Sequence, residues 1–497
     1  MTETEEHFPV LICGGGLVGL AGAVFLARQG VRPLLVDRHP GVSIHGRARG
    51  INQRTMEIYR AYGIDQQVHA AGKPFDAEAG VARCETLATA WQWLYDAEEP
   101  REWPELTAGT FCMADQNTVE PILVDTARRD GATHRFNTEL TSFEASENGV
   151  IATTTDRTTG EKRTIRADYL IAADGNRSPI RRKLGINRAG ETTFMHSMNI
   201  VFRADLSAFL PRRALFWIIT GVGGGLVSTA DPHRWQLTVS YDPTTEGVEN
   251  FTDNRCVSLV RGAIGKLGLD VTIEDVAAWE QGVGVAERYR DGRVFLAGDS
   301  AHTWPPAGAL GANTGVQDIH NLAWKIAAVA KGWSDPALLD TYEMERLPIA
   351  HELAPMIVRH QQARMSGETA EEMDPQRQTL GQLYGHEKVF AHDLNAPATE
   401  GARAPHLWLT VGGRRAAAQD LFVGEHVLLC DNPAWEQAAA EQPFPIKAVR
   451  AEHADGWKAR YGGSATLVRP DGYIARQYAA LPADPAQALR HAAYSLA

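Results

Sequence analysis

The sequence predicts an α/β protein. A parallel sheet is assembled from two distant parts of the chain, an antiparallel β-rich domain is inserted between them, and a small α/β domain closes the chain. Three observations carry this. A strand-length apolar run at the start leads into Gly14-x-Gly16-x-x-Gly19 and an apolar helix; a second buried-strand pattern ends at Gly298-Asp299 and leads into another long helix; the stretch between them alternates apolar and polar residues and is rich in aromatics. A chain of 497 residues is too long for one core. The pattern divides it into segments 1–190, 191–286, 287–399 and 400–497.

Phe8 to Cys13 reads as the first strand and Leu17 to Gln29 as the helix, stopped by Gly30. Glycines at 14, 16 and 19 permit a tight turn, close approach of backbone to a pyrophosphate and close packing of helix on strand, while the helix N-terminus offers unpaired N–H groups to phosphates. Val31 to Val36 is the next strand, and Asp37 at its end is placed to accept the hydroxyls of a ribose. This is a Rossmann-like start for a nucleotide with an ADP half, which NAD and FAD share. Arg47 and Arg49 precede a helix from Arg54 to Tyr62, ended by Gly63, and are candidates to reach a phosphate. A later helix carries Val119, Ile122, Leu123 and Ala127 on one face, with Gln116 just before its N-terminus. Tyr169 to Ala173 is a buried strand ending at Asp174-Gly175, where open α/β sheets place their ligands.

From Thr192 to Glu287 the alternating runs predict antiparallel strands that roof a cavity, and Phe202, Phe216, Trp217 and Trp235 are the candidates to line it. The parallel texture then returns with the strand ending at Asp299, a Pro-Gly loop, and a helix from Asn313 to Lys331 stopped by Gly332. Leu338 to Arg364 reads as helical, and from Pro405 short strand-like runs alternate with turns. The second nucleotide-binding segment decides between the cofactors. NAD needs one glycine turn and one ribose acid, whereas Asp299 and the helix start at Gly311-Ala312-Asn313 add a second acid and a second exposed helix end. FAD has the parts that call for them: ribityl hydroxyls for Asp299, and a ring whose pyrimidine end becomes negative on reduction, which a helix N-terminus stabilises. FAD is the expected cofactor.

Composition narrows the rest. The net charge of −12 and the lack of a long basic run argue against a nucleic-acid partner. No apolar stretch has membrane-spanning length and the N-terminus is acidic, so a cytoplasmic protein without membrane attachment is expected. Five cysteines without a C-x-x-C pair, and histidines without ligand spacing, point to no disulfide framework and no metal. Ser300 and His302 have no G-x-S-x-G elbow around them, which removes a hydrolase reading. His196, His233 and Tyr241 lie in the roofing region as possible bases, and the sequence does not choose among them.

With the glycine turn, "RAR" at 47–49, "AADG" at 172–175 and "GDSAH" through "NTGVQD" from 298 to 318 in place, the chain resembles the class A single-component flavoprotein aromatic hydroxylases, most of all the aromatic polyketide hydroxylases of the tetracenomycin and anthracycline type. The resemblance extends to the tail, where "RAPHLWL" and "LVRPDGYIAR" are similar to the thioredoxin-like C-terminal domain of that group; with only Cys430 there, a dithiol redox role is excluded. It implies a Rossmann-like FAD-binding domain of the glutathione-reductase type. In it Gly14, Gly16, Leu17, Gly19 and Asp37 hold the ADP half, Arg47 and Gln116 the pyrophosphate side, Asp299 the ribityl chain, and Gly311, Ala312 and Asn313 face the flavin ring. Asp174-Gly175 serves both FAD and NAD(P)H, and Arg47 and Asn313 are the residues placed to tune the flavin. No catalytic base is implied. The implied reaction uses NADPH or NADH as transient co-substrate and dioxygen, and hydroxylates a small-molecule aromatic polyketide through a flavin hydroperoxide, in a monomer or homodimer. Two alternatives stay open: a Baeyer-Villiger or antibiotic-inactivating monooxygenase, and a flavin-bearing protein that sequesters an antibiotic. The chain departs from the family at Asp37, where relatives often have Glu, and at Gly308-Ala309-Leu310-Gly311, where they often have Gly-Gly-aromatic-Gly or Gly-Gly-Gln-Gly.

Overall fold

The computed structural model describes residues 5–492 apart from 47, 76–79, 96–101, 211, 307–308, 367–372 and 452–453. Glu5–Cys13 is central in the first sheet. It pairs in parallel with Lys162–Ala172 on one side and Leu34–Val36 on the other, and Val294–Leu296 adds in parallel beyond Lys162–Ala172. The chain therefore returns to the same sheet after the inserted domain. Val10 to Ile12, Leu170 to Ala172 and Val294 to Leu296 are fully buried because helices cover the sheet, which is why they read as unbroken apolar runs.

The helices Leu17–Arg28 and Leu310–Ala330 pack directly on each other. A Cβ at Gly22 would fall 2.6 Å from Ile319 Cγ1, so glycine there sets how closely the two segments approach. The second helix begins at Leu310, ahead of the Asn313 start expected from sequence, because Ala309 takes the left-handed conformation (φ 54°) and turns the chain into it. Gln116 likewise lies inside its helix, Gln116–Arg129, with Asp115 preceding it. The long helix expected from Leu338 runs Thr341–Ser366, behind a short 3-10 turn.

The second sheet runs in the order His302–Thr303, Thr272–Ala286, Arg188–Arg203, Arg234–Tyr241, Gly224–Ser228, Phe216–Ile219, Val81–Cys84, Gln92–Tyr95. Its last two strands come from the first part of the chain, outside the 191–286 segment. Val81–Cys84 is only four residues long and pairs with Phe216–Ile219 in parallel, so nothing local marks it. One face of this sheet packs under the helix Asp253–Ile264, with Met198, Ile200, Leu226 and Leu237 against Cys256, Val260 and Ile264.

The C-terminal sheet has the order Ile446–Arg450, His426–Cys430, Ala465–Val468, Ile474–Tyr478, the first pair parallel and the others antiparallel. Trp435, Ala438, Ala486 and Leu489 from its two longer helices pack on Leu428 and Leu467. A buried ionic set locks this domain to the nucleotide-binding domain. Arg469 donates to both oxygens of Glu345 at 2.7 and 2.8 Å, Lys325 donates to Glu345 at 2.7 Å, and Arg54 donates to the carbonyl of Asp471 at 2.6 Å. Burial pushes the Glu345 carboxyl up, but Arg469 and Lys325 outweigh it and hold the group down at about 2. Among the described residues no helix is long and apolar enough to cross a membrane, and no His, Cys, Asp and Glu side chains group to hold a metal ion.

Candidate active site

The three glycines of the first turn do different jobs. At Gly14 (φ +115°) a Cβ would meet Ala173 O at 2.1 Å, and at Gly19 it would meet Gly14 O at 1.9 Å, so both are required by the packing of strand, turn and helix. Gly16 has φ −82°, and the nearest atom to a Cβ there is Glu120 Oε1 at 3.9 Å. Nothing in the fold demands glycine at this position; its missing side chain leaves open space in front of the helix. No side chain caps that helix or the helix Leu310–Ala330, whereas Asn52, Ser178 and Asn432 cap theirs by accepting from Thr55, Arg181 and Ala434 N–H at 2.9 Å each. Two uncapped N-termini beside one cleft fit an anionic ligand such as a dinucleotide.

The cleft brings together residues from three parts of the chain: Leu17, Gly50, Gln116, Ala312 and Asn313. Asn313 donates to Gly50 O at 2.9 Å and Ala309 O at 2.6 Å and accepts from Asn52 N–H at 3.1 Å, so it ties the second segment to the loop of the first. Ala309 Cβ lies 2.9 Å from where a Cβ on Gly50 would sit, so this loop closes on Gly50. Asp37 lies against the glycine turn and accepts from Gly15 N–H at 2.5 Å and His39 N–H at 2.7 Å. Asp299 is exposed on the 3-10 turn after Val294–Leu296, and this turn abuts the first helix: a Cβ on Gly298 would fall 2.8 Å from Val18 Cγ2. Asp174 accepts from Ile180 N–H at 3.2 Å while its buried Oδ1 has no hydrogen-bond partner, and burial pushes its carboxyl up. Gly175 beside it (φ +83°) has open space around it, and Gly311 sits next to Trp304. Arg47 lies outside the described residues.

Two supports were not singled out from sequence. Glu120, fully buried, accepts from Gln116 Nε2 at 2.6 Å and from Ser43 N–H at 2.7 Å, fixing both Gln116 and the loop that leads to Arg47. The Gln-x-x-x-Glu spacing on one helix was its signal. Asp318, also fully buried, accepts from Arg346 Nε at 2.8 Å, pairs with His302 Nε2 at 2.6 Å and accepts from Gly298 N–H at 3.3 Å, which anchors the turn bearing Asp299. Ser300 is spent on Ala172 O at 2.6 Å, so Ser300 and His302 are scaffolding for that turn.

The roof corrects the choice of lining aromatics. Phe202, Trp217 and Trp235 point to the Asp253–Ile264 side and are buried in its core, with Trp217 and Trp235 rings 6.2 Å apart. The face toward the cofactor cleft is the other one. On it Asp275 pairs with His45 at 2.7 Å, Arg234 donates to Ile44 O at 3.0 Å, and Val283 packs in one cluster with Trp304 and Leu310. Of the four aromatics only Phe216 is on this face by alternation, lying over Gly225. A period of two shows which residues share a face, not which face is inward. Tyr241 packs on Phe251 on the helix side with His196 against it, and His233 is exposed in a turn, so none of the three lines the roofed space.

Two chain segments closing on one cleft at two uncapped helix N-termini, with loops tied to the second sheet, define a dinucleotide-binding protein. Residues 7–355 match the family described as FAD binding domain, and residues 398–496 match the family described as aromatic-ring hydroxylase, C-terminal. The chain is 38% identical to a putative polyketide hydroxylase of Streptomyces halstedii, covering 98% of this chain and 97% of the relative, and 38% identical to the tetracenomycin A2 monooxygenase-dioxygenase of Streptomyces glaucescens, covering 98% and 96%. Among solved structures it is similar to an aklavinone-11 hydroxylase in ternary complex with FAD and aklavinone, with a TM-score of 0.85, 33% identity and 98% of each chain covered. The chain belongs to this family of FAD-binding aromatic-ring hydroxylases and is a FAD-dependent monooxygenase.

Proposed function

We propose that the protein hydroxylates a polycyclic aromatic polyketide, consuming NAD(P)H and dioxygen. The observation that carries this is the full-length likeness, over 98% of both chains, to a protein solved with FAD and aklavinone. The residues present fit FAD: Gly16 leaves an unfilled cradle before an uncapped helix, and a buried Asp174 oxygen lacks a partner. Bound FAD supplies the redox and oxygen-activating chemistry. On this reading the N–H groups after Gly16 take the pyrophosphate, with Gln116, held by Glu120, beside them; Asp37 takes the adenosine ribose; Asp299 takes the ribityl hydroxyls. The N-terminus of Leu310–Ala330, with Gly311, Ala312 and Asn313 in its first turn, would stabilise negative charge at the ring. The roof would exclude water and hold the substrate. Asp174-Gly175 would serve both FAD and NAD(P)H.

The C-terminal domain is read as thioredoxin-like. Support comes from its strand order, two parallel strands joined by a helix and followed by an antiparallel pair and a final helix. Cys430 is buried and has no C-x-x-C partner, so this domain acts in assembly and not in thiol exchange. The test is anaerobic stopped-flow reduction of the FAD-loaded protein by NADPH, with and without a panel of polycyclic phenols. Faster flavin reduction with a polycyclic phenol is expected; a rate indifferent to every such compound overturns the proposal.

A further inference from the structure

We propose that Asn199 is a substrate-specificity residue that donates a hydrogen bond to a ring carbonyl oxygen of the aromatic substrate; the inference rests on the polyketide reading above. Asn199 is in the middle of the Arg188–Arg203 strand, half-buried, on the opposite face from Met198 and Ile200 and directly across from Thr238 and Ala277. Its Oδ1 accepts two hydrogen bonds, from Thr238 Oγ1 at 2.7 Å and from Trp279 Nε1 at 2.9 Å. An indole nitrogen only donates, so the atom it meets is the amide oxygen and the orientation of the side chain is settled. The amide NH2, with two donors, then points away from both, and among the described residues it has no acceptor.

The face that carries Asn199 looks onto the cofactor cleft. Along Thr272–Ala286, Asp275, Ala277, Trp279, Gln281 and Val283 alternate onto one side; Asp275 at one end meets His45, and Val283 at the other packs with Trp304 and Leu310. Trp279 and Asn199 fall between those contacts, over the loops that border the cleft. A donor pair whose amide is fixed by two neighbours, on the face that meets the cleft loops, suits an acceptor and discriminates against an analogue that lacks one. The amide is uncharged, so it suits a neutral quinone or ketone oxygen.

The test is titration of the FAD-loaded protein, without NAD(P)H, with a dihydroxyanthraquinone and with the dihydroxyanthracene of the same ring skeleton, read by the change in flavin absorbance. Wild type is expected to bind the quinone about tenfold more tightly. Asn199→Asp keeps an oxygen for Thr238 and Trp279 and replaces the donors with an acceptor, so the preference for the quinone is expected to vanish. Equal affinities in wild type, or an unchanged preference in Asn199→Asp, overturn the role of Asn199. If the variant does not fold, the wild-type ligand pair decides alone. Failure of wild type to bind either probe counts against the polycyclic-substrate reading and removes the inference with it.

Discussion

Alanine at Gly16 separates two tasks of the glycine turn that alanine at Gly19 merges. At Gly19 the added carbon would lie 1.9 Å from Gly14 O, far inside contact distance, with backbone on both sides of the clash. The cost exceeds the ~1–3 kcal/mol of ordinary overpacking, and Gly19→Ala is expected to unfold the domain or lose most of its stability. At Gly16 the new carbon has 3.9 Å of clearance to Glu120 Oε1 and the backbone is already in a region any residue adopts, so the only cost to the fold is a poorer cap, about 1 kcal/mol or less. On the proposed reading the same carbon would occupy the space that the pyrophosphate takes. Gly16→Ala is therefore expected to leave urea unfolding of the apoprotein near wild type while weakening FAD by at least about a hundredfold, equivalent to ~2.7 kcal/mol, in a flavin-fluorescence titration. Wild-type FAD affinity in Gly16→Ala, or apoprotein as unstable as Gly19→Ala, would refute the reasoning.

Trp217→Ala, in the core under Asp253–Ile264, is expected to cost about 3–5 kcal/mol of stability and leave KM near wild type in the protein that folds; Phe216→Ala is expected to raise KM at little cost in stability, and chemical denaturation with steady-state kinetics distinguishes them. Glu345→Gln leaves Lys325 buried without its counter-ion and Arg469 with Asp471 alone, and is expected to cost about 3–5 kcal/mol at neutral pH. Because the folded state holds the Glu345 carboxyl at about 2, below its ordinary 4.5, its contribution is complete above 4.5 and is lost as pH falls toward 2. Urea midpoints measured down that window should fall in wild type and fall less steeply in Glu345→Gln, where Asp318 and Asp471 remain to be protonated. Cys430→Ala is expected to keep NADPH-driven turnover and lose about 1 kcal/mol of stability; loss of turnover in a folded variant would restore a chemical role for the thiol.

The nucleotide-binding half was legible because its signals are local. Glycines at 14, 16 and 19 follow a strand and open a helix, and Asp37 and Asp174 end strands that read as apolar runs. The return of the chain at Val294–Leu296 was visible for the same reason. What sequence left hidden depends on partners far away. Which side of the second sheet is inward is decided by contacts such as Asp275 with His45, not by alternation, so the largest aromatics drew attention while the smaller polar Asn199 did not. Val81–Cys84 is too short to announce itself and exists as a strand because Phe216–Ile219 offers it an edge. The salt bridges of Glu345, Arg469 and Asp318 join residues whose charges look like ordinary surface charges until the C-terminal domain and Thr341–Ser366 bury them.

The most direct measurement is turnover of the FAD-loaded protein with NADPH, a polycyclic phenol and heavy-isotope dioxygen, with mass spectrometry of the product. One labelled oxygen atom per product molecule, inserted as a hydroxyl on the ring, is the predicted result. NADPH consumed with all of the labelled oxygen released as hydrogen peroxide, for every polycyclic phenol that binds, would contradict the account.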